Sequence, residues 1–171
     1  MKKLGIFFGS DTGNTEKVAE KIKNAFGDGC AEVFDIAESS EEQIRNFNVV
    51  LFGISTWYYG EPQCDWDDFL PTLNKIDFEG KSVGLFGCGD QEDYSEYFCD
   101  AIGILKEILD KNHAKLIGKW PIDGYSFQES RALSSDDPKK FFGLAIDEDR
   151  QPDLTDLRIN LWVDQLLKEI E

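Results

Sequence analysis

Close to the start of the chain, Gly9-Ser10-Asp11-Thr12-Gly13-Asn14-Thr15 concentrates neutral hydrogen-bond donors. The hydroxyls of Ser10, Thr12 and Thr15 and the amide of Asn14 can donate to an anion, and Gly13 permits a tight backbone turn. A short apolar run precedes this stretch and an amphipathic pattern follows it, so a helix begins within it. Free N–H groups at a helix start, together with the helix dipole, favour a bound phosphate. The turn has no Lys or Arg, which excludes a nucleoside-triphosphate loop ending in Gly-Lys-Ser/Thr, and it lacks the G-x-G-x-x-G of dinucleotide sites. A phosphate monoester held by neutral donors suits it. An ordinary helix start capped by Thr12 is the alternative.

Two later stretches carry a different chemistry. Ser55-Thr56-Trp57-Tyr58-Tyr59-Gly60-Glu61 places three aromatics in a row. Neighbouring side chains cannot all face a core, so Trp57, Tyr58 and Tyr59 read as a platform for a planar ligand. A loop that merely covers the end of a sheet is the plainer reading. Gly87-Cys88-Gly89-Asp90-Gln91-Glu92-Asp93-Tyr94 combines glycines that let backbone approach a ligand with a tyrosine placed to stack opposite Trp57. The four cysteines, Cys30, Cys64, Cys88 and Cys99, form no C-x-x-C pair, and His113 is the only histidine. That leaves no ligand set for zinc or iron–sulfur, so any redox chemistry must come from an organic cofactor, and the thiols are expected to be buried and reduced.

The elements that position these stretches alternate. Leu4 to Phe8, Val33 to Ile36, Val49 to Ile54, Val83 to Phe86 and Leu116 to Ile117 read as short strands, largely apolar on both faces. Between and after them lie helical patterns: Val18, Ile22, Ala25 and Phe26; Trp66, Phe69, Leu70 and Leu73; Phe98, Ala101, Ile102, Leu105, Ile108 and Leu109; and Ile159, Val163, Leu166, Leu167 and Ile170. Ser40 is placed to cap a further short helix. The pattern predicts an α/β protein, a doubly wound parallel sheet with helices on both faces. Ligands of such sheets bind beyond the carboxyl ends of the strands, where all three stretches fall. From Trp120 to Lys140 the alternation breaks, and Phe142 to Ile146 then resumes as the second half of a fifth strand interrupted by an insertion. No repeat or linker divides the chain, so one domain over residues 3–168 is expected.

Composition narrows the partners. The chain has 171 residues and a formal net charge of −16. Four acids and no base lie between Glu61 and Asp68, and five acids and no base between Asp90 and Asp100. Such a surface repels nucleic acid and anionic membranes and steers basic partners. The apolar run after Met1-Lys2-Lys3 is too short for a signal-peptide core or a membrane span, so a cytoplasmic protein is expected.

The three loops together resemble those of the flavodoxins, specifically the long-chain class, and the resemblance runs from Leu4 to the last helix. Thr12-Gly13-Asn14-Thr15 matches the family's T-G-x-T phosphate turn, Thr56-Trp57 with Gly60-Glu61 its first flavin loop, and Gly89-Asp90-Gln91 with Tyr94 its second. Gly143 to Asp149 resembles the segment that closes the long-chain insertion. The resemblance implies five strands in the order 2-1-3-4-5 with FMN at the switch between strands one and three; flavodoxin is itself a standing example of that rule. It implies that Ser10, Asp11, Thr12, Gly13, Asn14 and Thr15 hold the FMN phosphate, that Trp57 and Tyr94 sandwich the ring, and that Thr56, Tyr58, Tyr59, Gly60, Cys88, Gly89 and Asp90 supply edge contacts. Asp147, Tyr97 and Cys99 correspond to positions near the ribityl chain or flavin edge.

By the same resemblance the activity is electron transfer, not catalysis: a low-potential one-electron carrier working between semiquinone and hydroquinone. Carboxylates around the ring would disfavour the anionic reduced form. The family stabilises the neutral semiquinone by turning a backbone carbonyl to flavin N5–H; the matching peptide is Tyr58–Tyr59, and neither residue is a glycine that would ease the turn. A flavodoxin/ferredoxin–NADP reductase is implied as donor, with acceptor redox enzymes docking on the acidic flavin edge of a monomer. A phospho-accepting receiver domain shares the topology but needs an Asp where Ser55 stands. A flavin-dependent reductase would need a nicotinamide motif, which is missing. A non-redox binding module is the third alternative.

Overall fold

The apolar run Leu4–Phe8 forms β1, and residues of both its faces are buried. This computed structural model describes residues 3–170. Beside β1 lie β2 (Ala31–Asp35) and β3 (Val49–Trp57), both parallel to it, with Leu4 opposite Ala31 and Gly5 opposite Val50. Next to β3 runs β5 (Ser82–Cys88), in register from Val49 with Ser82 to Ser55 with Cys88. Two short strands share the last position: β6 (Lys115–Ile117) pairs the first half of β5 and β9 (Leu144–Ile146) the second. The order is therefore β2-β1-β3-β5 with β6 and β9 sharing the last position, which, counting the five parallel positions in chain order, is the expected doubly wound 2-1-3-4-5 with an interrupted fifth strand. A two-residue strand, β4 (Glu61–Pro62), folds back antiparallel on the end of β3.

The alternation of β5 side chains decides where the helices sit. Gly84 and Phe86 face Trp162 of α5 (Thr155–Glu169), whereas Gly87 faces Ile102 of α4 (Asp100–Lys111). On the α4 side, Phe52 packs edge-on against Trp66 of α3 (Cys64–Leu73) at 5.3 Å. The α1 helix (Asn14–Phe26) joins α5 on the opposite face. Between β2 and β3, α2 (Glu41–Arg45) opens with a full capping box, Ser40 Oγ accepting from Gln43 N and Gln43 Oε1 accepting from Ser40 N. Among the described residues, no helix is long and apolar enough to cross a membrane.

Several boundaries differ from expectation for local reasons. Asp35 caps a short 3-10 turn that draws Ile36 out of β2. Cys99 adopts φ 54°, so α4 starts at Asp100 although its apolar pattern begins at Phe98. The insertion is ordered by its own aromatic cluster. β7 (Trp120–Pro121) pairs with β8 (Lys140–Phe141), and Phe141 packs on Tyr125, Phe127 and Phe98. Tyr125 Oη accepts from Trp120 Nε1 at 2.9 Å and donates to the Ala145 carbonyl at 2.6 Å, tying the insertion to β9.

Where the insertion rejoins the sheet, Gly143 lies so close to β5 that an added Cβ would stand 2.1 Å from the Leu85 carbonyl oxygen. That obstacle is backbone and cannot rotate away. Gly143→Ala is therefore expected to destabilise the fold by about 2–4 kcal/mol, read from the midpoint of urea unfolding.

Candidate functional site

β1 leads to α1 and β2 on one side, while β3 leads to α3 and β5 on the other, so the chain diverges between their carboxyl ends. A cleft of about 330 Å³ opens there, within the range of pockets that take small organic ligands. The turn after β1 and the start of α1 contribute Thr12 and Asn14, the end of β3 contributes Ser55, Thr56 and Trp57, and the end of β5 with the loop after it contributes Cys88, Gly89, Asp90 and Tyr94. Glu148 and Asp149, just beyond β9, complete the wall. None of these is basic. Eight of the residues singled out in the sequence meet here. Ser55, Glu148 and Asp149 were missed as lining residues, although the rule that ligands sit beyond strand ends pointed to all three.

The turn after β1 departs from an ordinary capped helix start. Gly13, not Thr12, occupies the N-cap position with φ 88°, and no side chain caps the helix. The left-handed φ favours glycine, and among the described residues nothing beyond its immediate chain neighbours lies within 4 Å of where a Cβ would project. Ser10 Oγ accepts from Gly13 N at 2.9 Å and shapes the turn. Thr12 is exposed at the cleft, but Thr15 is fully buried, its hydroxyl 2.5 Å from Ser55 Oγ. The two threonines thus do different work. Asp11 turns away, its Oδ1 accepting from the buried Gln63 amide at 2.9 Å beside the Cys64 thiol.

The aromatic stretch is a strand end followed by a tight turn. Trp57 closes β3 opposite Glu61, while Tyr58 and Tyr59 are 60% and 79% exposed. Tyr58 has φ 45°, a strained value for a non-glycine residue. Gly60 has φ 88°, and a Cβ there would meet Asp100 Oδ2 at 2.8 Å. Behind the turn, Thr56 Oγ1 accepts from Ala101 N at 3.0 Å and so holds the start of α4. Trp57 Nε1 is buried with no hydrogen-bond partner among the described residues. An orphaned donor on a cleft wall is a group that a ligand could satisfy.

Ten of the eighteen residues named from the sequence do not line the cleft: seven lie in the two turns just described, and Asp147, Cys99 and Tyr97 lie beyond them. Asp147 is 1% exposed, and both its oxygens are taken inside the protein: Oδ2 by Gln91 N and Nε2, Oδ1 by the N–H groups of Asp149 and Arg150. Cys99 is buried beneath Gly89. Tyr97 packs edge-on against Tyr59 at 5.8 Å, in an adjoining surface hollow with Tyr94, Glu92, Asp93 and Glu96. Of the four cysteines only Cys88 and Cys99 are buried; Cys64 is exposed and Cys30 half-buried, all four as free thiols. Burial pushes the Cys88 thiol up to about 12 and raises that of Cys99 well above its usual value, so neither is a thiolate near neutral pH.

The rim is strongly acidic, and the fold modifies it. Burial, then the neighbouring charges of Asp90 and Asp147, raise the Asp149 carboxyl. Burial would also raise Asp90, but hydrogen bonds from Arg150 and from the Asp93 and Glu92 N–H groups outweigh it and hold the carboxyl below the usual range.

A neutral anion turn, an aromatic wall with an unpaired indole N–H, and a position at the switch of a doubly wound sheet define an α/β protein built to hold an aromatic, phosphate-bearing ligand. The chain belongs to the flavodoxin family, whose model matches residues 6–162. It is 59% identical to a flavodoxin of Buchnera aphidicola over 167 residues, covering 98% of this chain and 96% of that one. It is 57% identical to flavodoxin 1 of Escherichia coli K12, covering 97% and 93%. The crystal structure of Fusobacterium nucleatum flavodoxin bound to flavin mononucleotide superposes with a TM-score of 0.92 at 34% identity, over 99% of both chains.

The different burial of Thr12 and Thr15 is testable without any ligand. Thr15→Val keeps the shape but strands the Ser55 hydroxyl, and is expected to cost about 1–3 kcal/mol of stability. Thr12→Ala is expected to stay within about 0.5 kcal/mol of the parent in the same thermal or urea unfolding measurement.

Proposed function

We propose that this chain is a carrier of single electrons that holds FMN in the cleft beyond β1, β3, β5 and β9. The observation that carries the proposal is the facing of a cation-free phosphate turn and an aromatic wall across one cleft. When bound, FMN supplies a couple that can pass electrons one at a time. The turn from Ser10 to Thr15 holds the phosphate through N–H groups and the Thr12 and Asn14 side chains. Trp57 and Tyr94 bracket the ring, and the unpaired Trp57 Nε1 is free to meet an acceptor. Glu148 and Asp149 line the cleft next to Asp147 and face the chain between ring and phosphate. The Tyr58–Tyr59 peptide lies in a turn already left-handed at Tyr58, so it is poised to reorient a carbonyl toward the ring.

The chain's electrostatics set the direction of transfer. Asp90, Glu148 and Asp149 border the cleft and no lining residue is basic, so added negative charge on the ligand is disfavoured and a low reduction potential follows. The exposed Tyr58, Tyr59 and Tyr94 beside Glu61, Glu92, Asp93 and Glu96 form an aromatic face with an acidic rim. That face suits basic redox partners, with a flavodoxin/ferredoxin–NADP reductase as donor to a monomeric, cytoplasmic carrier and acceptor redox enzymes as its outlets.

Adding FMN to the apoprotein should quench Trp57 fluorescence and give a yellow complex. Trp57→Ala should raise Kd by about 5- to 100-fold through the lost stacking, and a protein that takes up no FMN would contradict the proposal. Electron transfer from a basic reductase should slow about tenfold or more as ionic strength rises from about 0.05 to about 0.5 M. A rate indifferent to salt would remove the docking face.

A further inference from the structure

The acidic run from Asp90 to Asp100 contains no base, yet the fold brings one to it. Arg150 follows the end of β9, and its backbone N–H is anchored on buried Asp147 Oδ1 at 3.0 Å. Its guanidinium reaches across to the loop after β5. Nε and Nη2 stand 3.1 and 3.2 Å from the two oxygens of Asp90, a two-pronged contact. Nη1 is 3.1 Å from Glu92 and Nη2 is 3.0 Å from Asp93.

Those partners shape the loop that carries Tyr94. Asp90 Oδ1 also accepts from the N–H groups of Glu92 and Asp93, at 2.9 and 3.0 Å, and the Asp90 carbonyl accepts from Tyr94 N at 3.2 Å. Isolated surface ion pairs contribute little, but a forked guanidinium serving three carboxylates is the arrangement that does hold. The Asp90 side chain is only 11% exposed, which limits screening of the central pair.

We propose that Arg150 is a clasp: it closes the Tyr94 loop over the cleft and thereby slows the loss of FMN. The inference rests on the FMN reading above and deepens it by naming a positioning residue. The loop is held independently at both ends, by Gln91 bonding Asp147 and Ser126 N and by the Ser95 carbonyl accepting from the Gln128 and Glu129 N–H groups, so opening the clasp loosens residues 92–94 between them without unfolding the sheet. The clasp differs in sign from a plain charge effect. Removing acids near a phosphate-bearing ligand should, by charge alone, slow its escape. If those acids are the clasp's catches, removing them should speed it.

FMN dissociation is followed by recovery of flavin fluorescence on dilution of the loaded protein. Arg150→Gln is expected to speed release about tenfold, with Arg150→Lys recovering part of the loss because it keeps the charge but not the fork. The double variant Glu92→Gln/Asp93→Asn should also release FMN faster, about threefold or more. Unchanged release in Arg150→Gln overturns the clasp, as does slower release in the double acid variant, which would make Arg150 a simple countercharge. Unfolding midpoints of the apoproteins should stay together; a large drop in Arg150→Gln would mark a merely structural role and equally overturn it. Failure of the wild-type protein to load FMN at all would instead strike the reading beneath.

Discussion

A buried carboxylate without a cationic partner is costly unless hydrogen bonds surround it. Asp147 meets that condition with four N–H donors, and it does so where three parts of the protein converge. Two donors belong to Gln91 in the loop after β5, and two belong to the turn after β9. Gln91 in turn accepts from Ser126 of the insertion. Asp90, Tyr94, Glu148 and Asp149, all lining the cleft, therefore owe their positions to a residue that does not itself line it.

The same economy recurs at the other walls. Thr56 borders the cleft, yet its hydroxyl holds the start of α4. Thr15 opens the helix after the β1 turn, yet its hydroxyl pairs with Ser55 and ties the start of α1 to β3. The insertion contributes in this indirect way as well. Gln128 and Glu129 N–H groups bond the Ser95 carbonyl, and Arg131 N bonds Asp100, so the segment just beyond Tyr94 is held at both its ends. Rigid support behind a few exposed aromatics lets a cleft be preformed while its rim stays open to partners.

Charge is organised on two scales. A net charge of −16 acts over the whole surface and is screened by salt. At the cleft, the balance depends on contacts: Arg150 neutralises part of the Asp90–Asp93 group, whereas Glu148 and Asp149 border the ligand position with no base among the lining residues. The local field is thus less negative than the linear run of acids suggests on one side, and undiminished on the other.

The sequence by itself determined the sheet and the identity of the cleft. Apolar runs such as Leu4–Phe8 and Val49–Ile54 can be buried on both faces only in a covered parallel sheet, and the neutral turn and aromatic loop follow directly from those runs. Periodicity also foretold the interrupted fifth strand, because the pattern stops near Trp120 and resumes near Phe142. What it could not determine was side-chain direction beyond the strand ends. Asp147 and Asp149 are both acids after β9, but only the hydrogen bonds from Gln91 and the following turn bury one and leave the other at the cleft. Asp11 and Thr12 are neighbours in one turn, and only the buried amide of Gln63, 52 residues later, draws Asp11 away. Arg150 shows the reason most clearly: its three carboxylate partners lie about 60 residues earlier, and no local pattern encodes a contact that exists only once β5 and β9 lie side by side.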